Sequence, residues 1–108
     1  MLYSMSMNAI VREQLPRLVA LAKRYGVSRL DLIGSATRED FDPQRSDLDF
    51  VVEFDSLTTD NAADRYFGLF NDLEDLFGRP IDLVSYKAIR NPFFKSVVER
   101  TRSPLYAA

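Results

Sequence analysis

Leu30-Asp31-Leu32-Ile33-Gly34-Ser35, then Asp47-Leu48-Asp49-Phe50-Val51-Val52-Glu53-Phe54 beyond the polar segment Ala36 to Ser46, is the stretch that decides the fold. A short apolar run ends at a Gly-Ser turn, and the second run alternates. Leu48, Phe50, Val52 and Phe54 share one face, and Asp47, Asp49, Val51 and Glu53 share the other. Two positions apart on a strand that rises about 3.3 Å per residue, Asp47 and Asp49 project side by side. Adjacent carboxylates repel unless a cation lies between them, and their hard oxygens suit Mg²⁺ or Mn²⁺. A third acid, Asp82, lies in the β-like run Ile81-Asp82-Leu83-Val84-Ser85-Tyr86. At Gly34-Ser35 the missing side chain lets backbone N–H groups approach a phosphate, and the serine hydroxyl adds a donor. Arg38 is placed to reach the same triphosphate.

Composition narrows the chemistry. The chain has 108 residues, enough for one domain with a single core, and 1–108 is read as that domain. Its 14 basic and 16 acidic residues give a formal charge of −2, without the basic bias of a dedicated nucleic-acid binder. Cysteine and histidine are absent, which removes disulfides, thiol chemistry, histidine acid–base catalysis and His/Cys zinc sites. Carboxylates, hydroxyls, Lys/Arg and a bound metal remain. No apolar stretch approaches the roughly 20 residues of a membrane span, and the N-terminus lacks a signal pattern, so a cytoplasmic location is expected.

The expected element order is helix, strand, loop, strand, helix, strand, helix. Val11, Leu15, Leu18, Ala22 and Tyr25 form one helical stripe over about 7–25, interrupted at Pro16 and stopped by Gly26. A second helix over 62–77 turns Ala63, Phe67, Phe70, Leu73 and Phe77 inward, with Asp60 or Asn61 as its cap. A third opens at Asn91-Pro92 and runs to about Thr101. Strands are expected at Leu30–Ile33, Asp47–Phe54 and Ile81–Tyr86, with a short extended piece at the C-terminus. Phe67, Phe70 and Phe77 read as core rather than a base platform, and Arg90, Lys95, Arg100 and Arg102 as a solvated face. The fold class is therefore α/β (α+β), a small mixed sheet with helices packed on one face.

Gly-Ser, a loop, Asp-x-Asp and a later strand aspartate, in this order, resemble the minimal nucleotidyltransferases of the DNA polymerase β-like superfamily. The resemblance runs through Ile33 to Arg38, Ser46 to Phe54, Gly78 to Val84, Arg90 to Phe93 and Pro104 to Tyr106. Two departures stand out: the Ala36 to Ser46 loop is one residue longer than the family spacing, and Glu39 stands where many relatives carry glycine. The resemblance implies ATP as substrate, with Gly34, Ser35 and Arg38 on its phosphates and Mg²⁺ (or Mn²⁺) held by Asp47, Asp49 and Asp82 as the catalytic set. It also implies the antitoxin half of a toxin–antitoxin pair, which transfers AMP to a tyrosine of a HEPN-domain ribonuclease toxin and silences it. No template nucleic acid and no membrane are expected, and homo- or hetero-oligomers are compatible with this reading. The alternatives are a stand-alone transferase acting on a small hydroxylated molecule and a non-catalytic module that neutralises its partner by contact.

Overall fold

The computed structural model describes residues 9–34, 47–55 and 61–108. Ser35, Arg38, Glu39, Asp60 and the Ala36 to Ser46 loop, all singled out above, lie outside the described residues.

Alternation builds the sheet. Strand β1 spans Val27–Ile33, β2 Leu48–Phe54, β3 Ile81–Ser85 and β4 Ser103–Ala107. They form one four-stranded sheet in the order β3-β2-β1-β4. β2 runs antiparallel to β1 and parallel to β3, and β4 runs antiparallel to β1. The parallel β2–β3 pair requires a crossover, which helix α3 (Ala62–Phe77) supplies. β1 starts three residues earlier than the Leu30 expected, because its register shifts between Val27 and Arg29 let the polar Ser28 and Arg29 remain in the ladder. The anticipated C-terminal extended piece is β4.

At the N-terminal end the expected single helix is two: α1, Ala9–Glu13, and α2, Leu15–Arg24, broken at Gln14. Pro16 sits in the first turn of α2, where the missing N–H costs little, so the restart falls just before it. Gly26, at φ +69°, stops α2, and Arg65 of α3 donates to the carbonyls of Tyr25 and Gly26 at 2.7 Å each.

Val11, Leu18 and Ala22 meet Leu48, Phe50, Val52, Leu69 and Leu73 in the main core. Phe50 and Phe77 stack there with ring centroids 5.9 Å apart. The buried line of α3 is Leu69 and Leu73, flanked by Tyr66, Phe70, Leu76 and Phe77. Phe67 was expected inward but is 58% exposed. Successive helix residues are turned by about 100°, so with Tyr66 on the sheet side Phe67 swings out, edge-on to the Tyr66 ring.

The fourth helix, α4 (Pro92–Thr101), departs from the one-face expectation. Its Val98 packs with Ile33 and Val51, which alternate with the main-core residues and so face the other side of the sheet. Asn91 caps α4 as its sequence predicts, its Oδ1 accepting from Phe93 N at 2.8 Å and Phe94 N at 3.2 Å. Arg102, expected on a solvated face, is instead only 8% exposed at its side chain. It pairs with the fully buried Asp31 and, at 3.1 Å, with Glu53. Arg29 holds the other side of Asp31 at 2.9 Å. No helix among the described residues is long and apolar enough to cross a membrane.

Candidate active site

Sheet register brings distant acids together. Ile33 pairs with Asp49, and Asp49 pairs with Asp82, so one row crosses β1, β2 and β3. Neighbouring strands lie about 4.8 Å apart and residues in register point to the same face, which sets Asp49 and Asp82 side by side. This is the face that α4 covers. Asp47 sits immediately before β2 rather than within it, and is exposed.

Electrostatics tie the three together. Burial pushes the Asp49 carboxyl above its ordinary range, and the negative charges of Asp82 and then Asp47 push it further. As placed, no three acids among the described residues converge on one metal position. That is no obstacle to Mg²⁺, which ordinarily takes one or two protein carboxylates and fills its remaining positions with water and substrate phosphate. A strained pair of hard oxygen donors fits such an ion.

Gly34 follows Ile33 with φ +76°. A Cβ there would stand 2.3 Å from Asp49 Oδ2, closer than real Cβ contacts come. Glycine thus serves twice, by adopting the left-handed backbone and by making room for a carboxylate that binds metal. Gly34→Ala is expected to cost about 1–2 kcal/mol of stability for the left-handed residue alone. It should also displace Asp49, so transfer falls further than the loss of folded protein accounts for. Activity per folded molecule, taken from denaturation and initial rates on the same preparation, checks this.

The site has a wall that the sequence reading missed. Between α4 and the acid row lies a cavity of about 270 Å³, with Ile33, Gly34, Asp49 and Asp82 on the sheet side and Phe94, Val97 and Thr101 on the helix side. The signal was present in the spacing of 94, 97, 98 and 101, one face of a helix. Basic residues around that face drew the reading toward solvent instead.

The geometry is that of a phosphate turn beside paired carboxylates, and the comparisons agree. A model of the nucleotidyltransferase domain matches residues 12–104, and the chain belongs to that family. Its activity class is nucleotidyl transfer. Two Methanocaldococcus jannaschii proteins named as candidate protein adenylyltransferases, MJ1379 and MJ0128, are 34% and 37% identical over 79 residues. Each alignment covers 73% of this chain, and 77% and 76% of the respective relatives. Among solved structures, a candidate minimal nucleotidyltransferase superposes with a TM-score of 0.75 at 28% identity, over 91% of this chain and 95% of that one. A chain of the MntA–HepT toxin–antitoxin crystal structure shares the fold at TM-score 0.62 and 18% identity, over 90% of this chain and 73% of that one.

Proposed function

We propose that this chain transfers AMP from ATP to a tyrosine hydroxyl on a partner HEPN-domain ribonuclease toxin, and so acts as the antitoxin of the pair. The observation that carries the reading is the register of Asp49 with Asp82 beside the Gly34 turn. The names of the archaeal relatives support AMP transfer to protein. A toxin–antitoxin structure of the same fold was solved with AMP-PNP, a non-hydrolysable ATP analogue.

In this reading Asp49 and Asp82, with Asp47 at the mouth, hold the divalent cation. Bound there, Mg²⁺ or Mn²⁺ would offset the charge of carboxylates and phosphates and lower the pKa of a hydroxyl it touches. Backbone N–H groups at Gly34-Ser35, together with Arg38, receive the β- and γ-phosphates. The acceptor oxygen bonds to the α-phosphorus as the bond to the bridging oxygen breaks, and pyrophosphate leaves with the electron pair. Asp82 takes the hydroxyl proton and passes it to water.

Co-expression with the product of a neighbouring gene for a small helical toxin, followed by intact mass of that partner, tests the proposal. The expected result is a gain of one or more AMP masses, lost when Asp49→Asn replaces the wild type. A partner left unmodified yet neutralised by the Asp47→Asn/Asp49→Asn double variant would replace catalysis with simple contact.

A further inference from the structure

Away from the acid pair, the cavity changes character. Asp49 and Asp82 make one end polar, while Val84, Phe94, Val97 and Val98 make the facing wall apolar. Among the described lining residues none is cationic, and the only hydroxyl belongs to Thr101. That hydroxyl already donates to Val97 O at 2.7 Å. Phe94, at the mouth, is 40% exposed, and its neighbour Phe93 is 75% exposed. The helix that carries them is anchored at its start by the Asn91 cap and further along by buried Val98. The wall is therefore a fixed surface with an aromatic entrance.

We infer that this wall is the acceptor subsite and that it selects an aryl alcohol, with the ring against Phe94 and Val97 and the hydroxyl toward Asp82. The inference deepens the nucleotidyl-transfer reading and rests on it for the second substrate. Its basis is the match of polarity along one axis. A phenol has an apolar body and a single polar atom at its far end, as the cavity has an apolar wall and a single acidic end. A sugar carries hydroxyls all round and would leave several unpaired against Val84, Phe94 and Val97. A nucleic-acid acceptor would bring phosphates to a wall that meets them with carboxylates. Adenine fits less well than a phenol, because its ring edge carries several acceptors and a donor, and Thr101 is the only side chain on the wall able to answer them. At about 270 Å³ the cavity falls just below the usual range for whole small ligands, roughly 300–1,000 Å³, which suits a single ring. A serine hydroxyl, on a single methylene, would fill none of the apolar wall. The step balances: the phenolic oxygen gains the bond to the α-phosphorus, pyrophosphate departs, and the phenolic proton leaves by way of Asp82 to water.

The test uses N-acetyltyrosinamide and N-acetylserinamide as acceptor probes, with wild type, Phe94→Ala and Phe94→Leu. Binding is read by saturation-transfer NMR of the probes in the presence of AMP-PNP, and transfer is read with ATP and Mg²⁺. The tyrosine probe should show ring saturation and the serine probe none. Phe94→Ala should weaken the tyrosine probe about tenfold, the worth of one ring contact with its burial, and leave the KM for ATP unchanged. Phe94→Leu should restore part of the loss. A rise in the KM for ATP with tyrosine binding intact would make the wall a nucleobase seat and overturn the inference. So would AMP transfer to another class of hydroxyl with no tyrosine binding. Ring binding that depends on Phe94, without AMP transfer to any protein or probe, would uphold the subsite and sink the nucleotidyl-transfer reading instead.

Discussion

Asp49→Asn is expected to reduce AMP transfer by at least about a hundredfold, since a metal-held charge is worth several kcal/mol in such a transition state. The same change is expected to raise stability in metal-free buffer at neutral pH. The two effects share a cause: burial and the charges of Asp82 and Asp47 hold the Asp49 carboxyl above its ordinary value of 3.8. A carboxyl whose folded pKa is raised binds protons more readily in the folded state. Below the unfolded pKa it is neutral in both states and carries no penalty, and as pH rises through the folded pKa its ionisation opposes folding. Asparagine has no such penalty. The variant should therefore unfold at a higher denaturant concentration than wild type near neutral pH, and the gap should close on acidification toward about pH 4. Adding Mn²⁺ should stabilise the wild type more than the variant. A variant less stable than wild type at neutral pH would show that Asp49 is held by a structural partner rather than strained for a cation.

The second large effect lies outside the site. Arg102→Ala should destabilise the protein by about 3 kcal/mol, the lower end for breaking a buried ion pair, because Arg29 still contacts Asp31. In a domain of this size that corresponds to a fall of roughly 10 °C or more in Tm. Asp31→Leu combined with Arg102→Leu should recover much of the loss, since a buried pair is often no more stabilising than apolar residues of similar volume. Thermal melts of the single and double variants check this. Equal melting of the Arg102 single variant and wild type would reduce the pair to a crystal-like surface contact of no consequence.

The site was legible where its chemistry is local. Gly34 announces itself because a turn between two β-like runs needs a left-handed residue, and Asp49 because an acid in an apolar strand is uncommon. Asn91 was legible because a cap acts on the next two residues. Pairing Asp49 with Asp82 required the parallel β2–β3 register, which no local pattern specifies, and there the family resemblance supplied the expectation. Arg102 defeated the reading because its partner lies 71 residues away, and a charge at the end of a basic helix ordinarily faces water. Phe67 failed for a smaller reason. Two helical stripes one residue apart are both apolar in α3, and only the packed sheet chooses between Leu69 and Phe67.

The central strand β1 gains its two neighbours at very different times. β2 follows it closely in the chain, whereas β4 is synthesised long after, beyond the Arg102 that lies 71 residues from Asp31. Until β4 arrives, one edge of β1 offers unpaired backbone groups to any other strand nearby, the usual route to aggregation during folding. An ionised Asp31 in the middle of that edge opposes adoption by a foreign strand, because such a strand would have to bury the charge without a partner. Arg102 comes immediately before β4, so the group that neutralises Asp31 and the strand that closes the edge are delivered together. A charge that contributes little to final stability can in this way govern which strand is admitted.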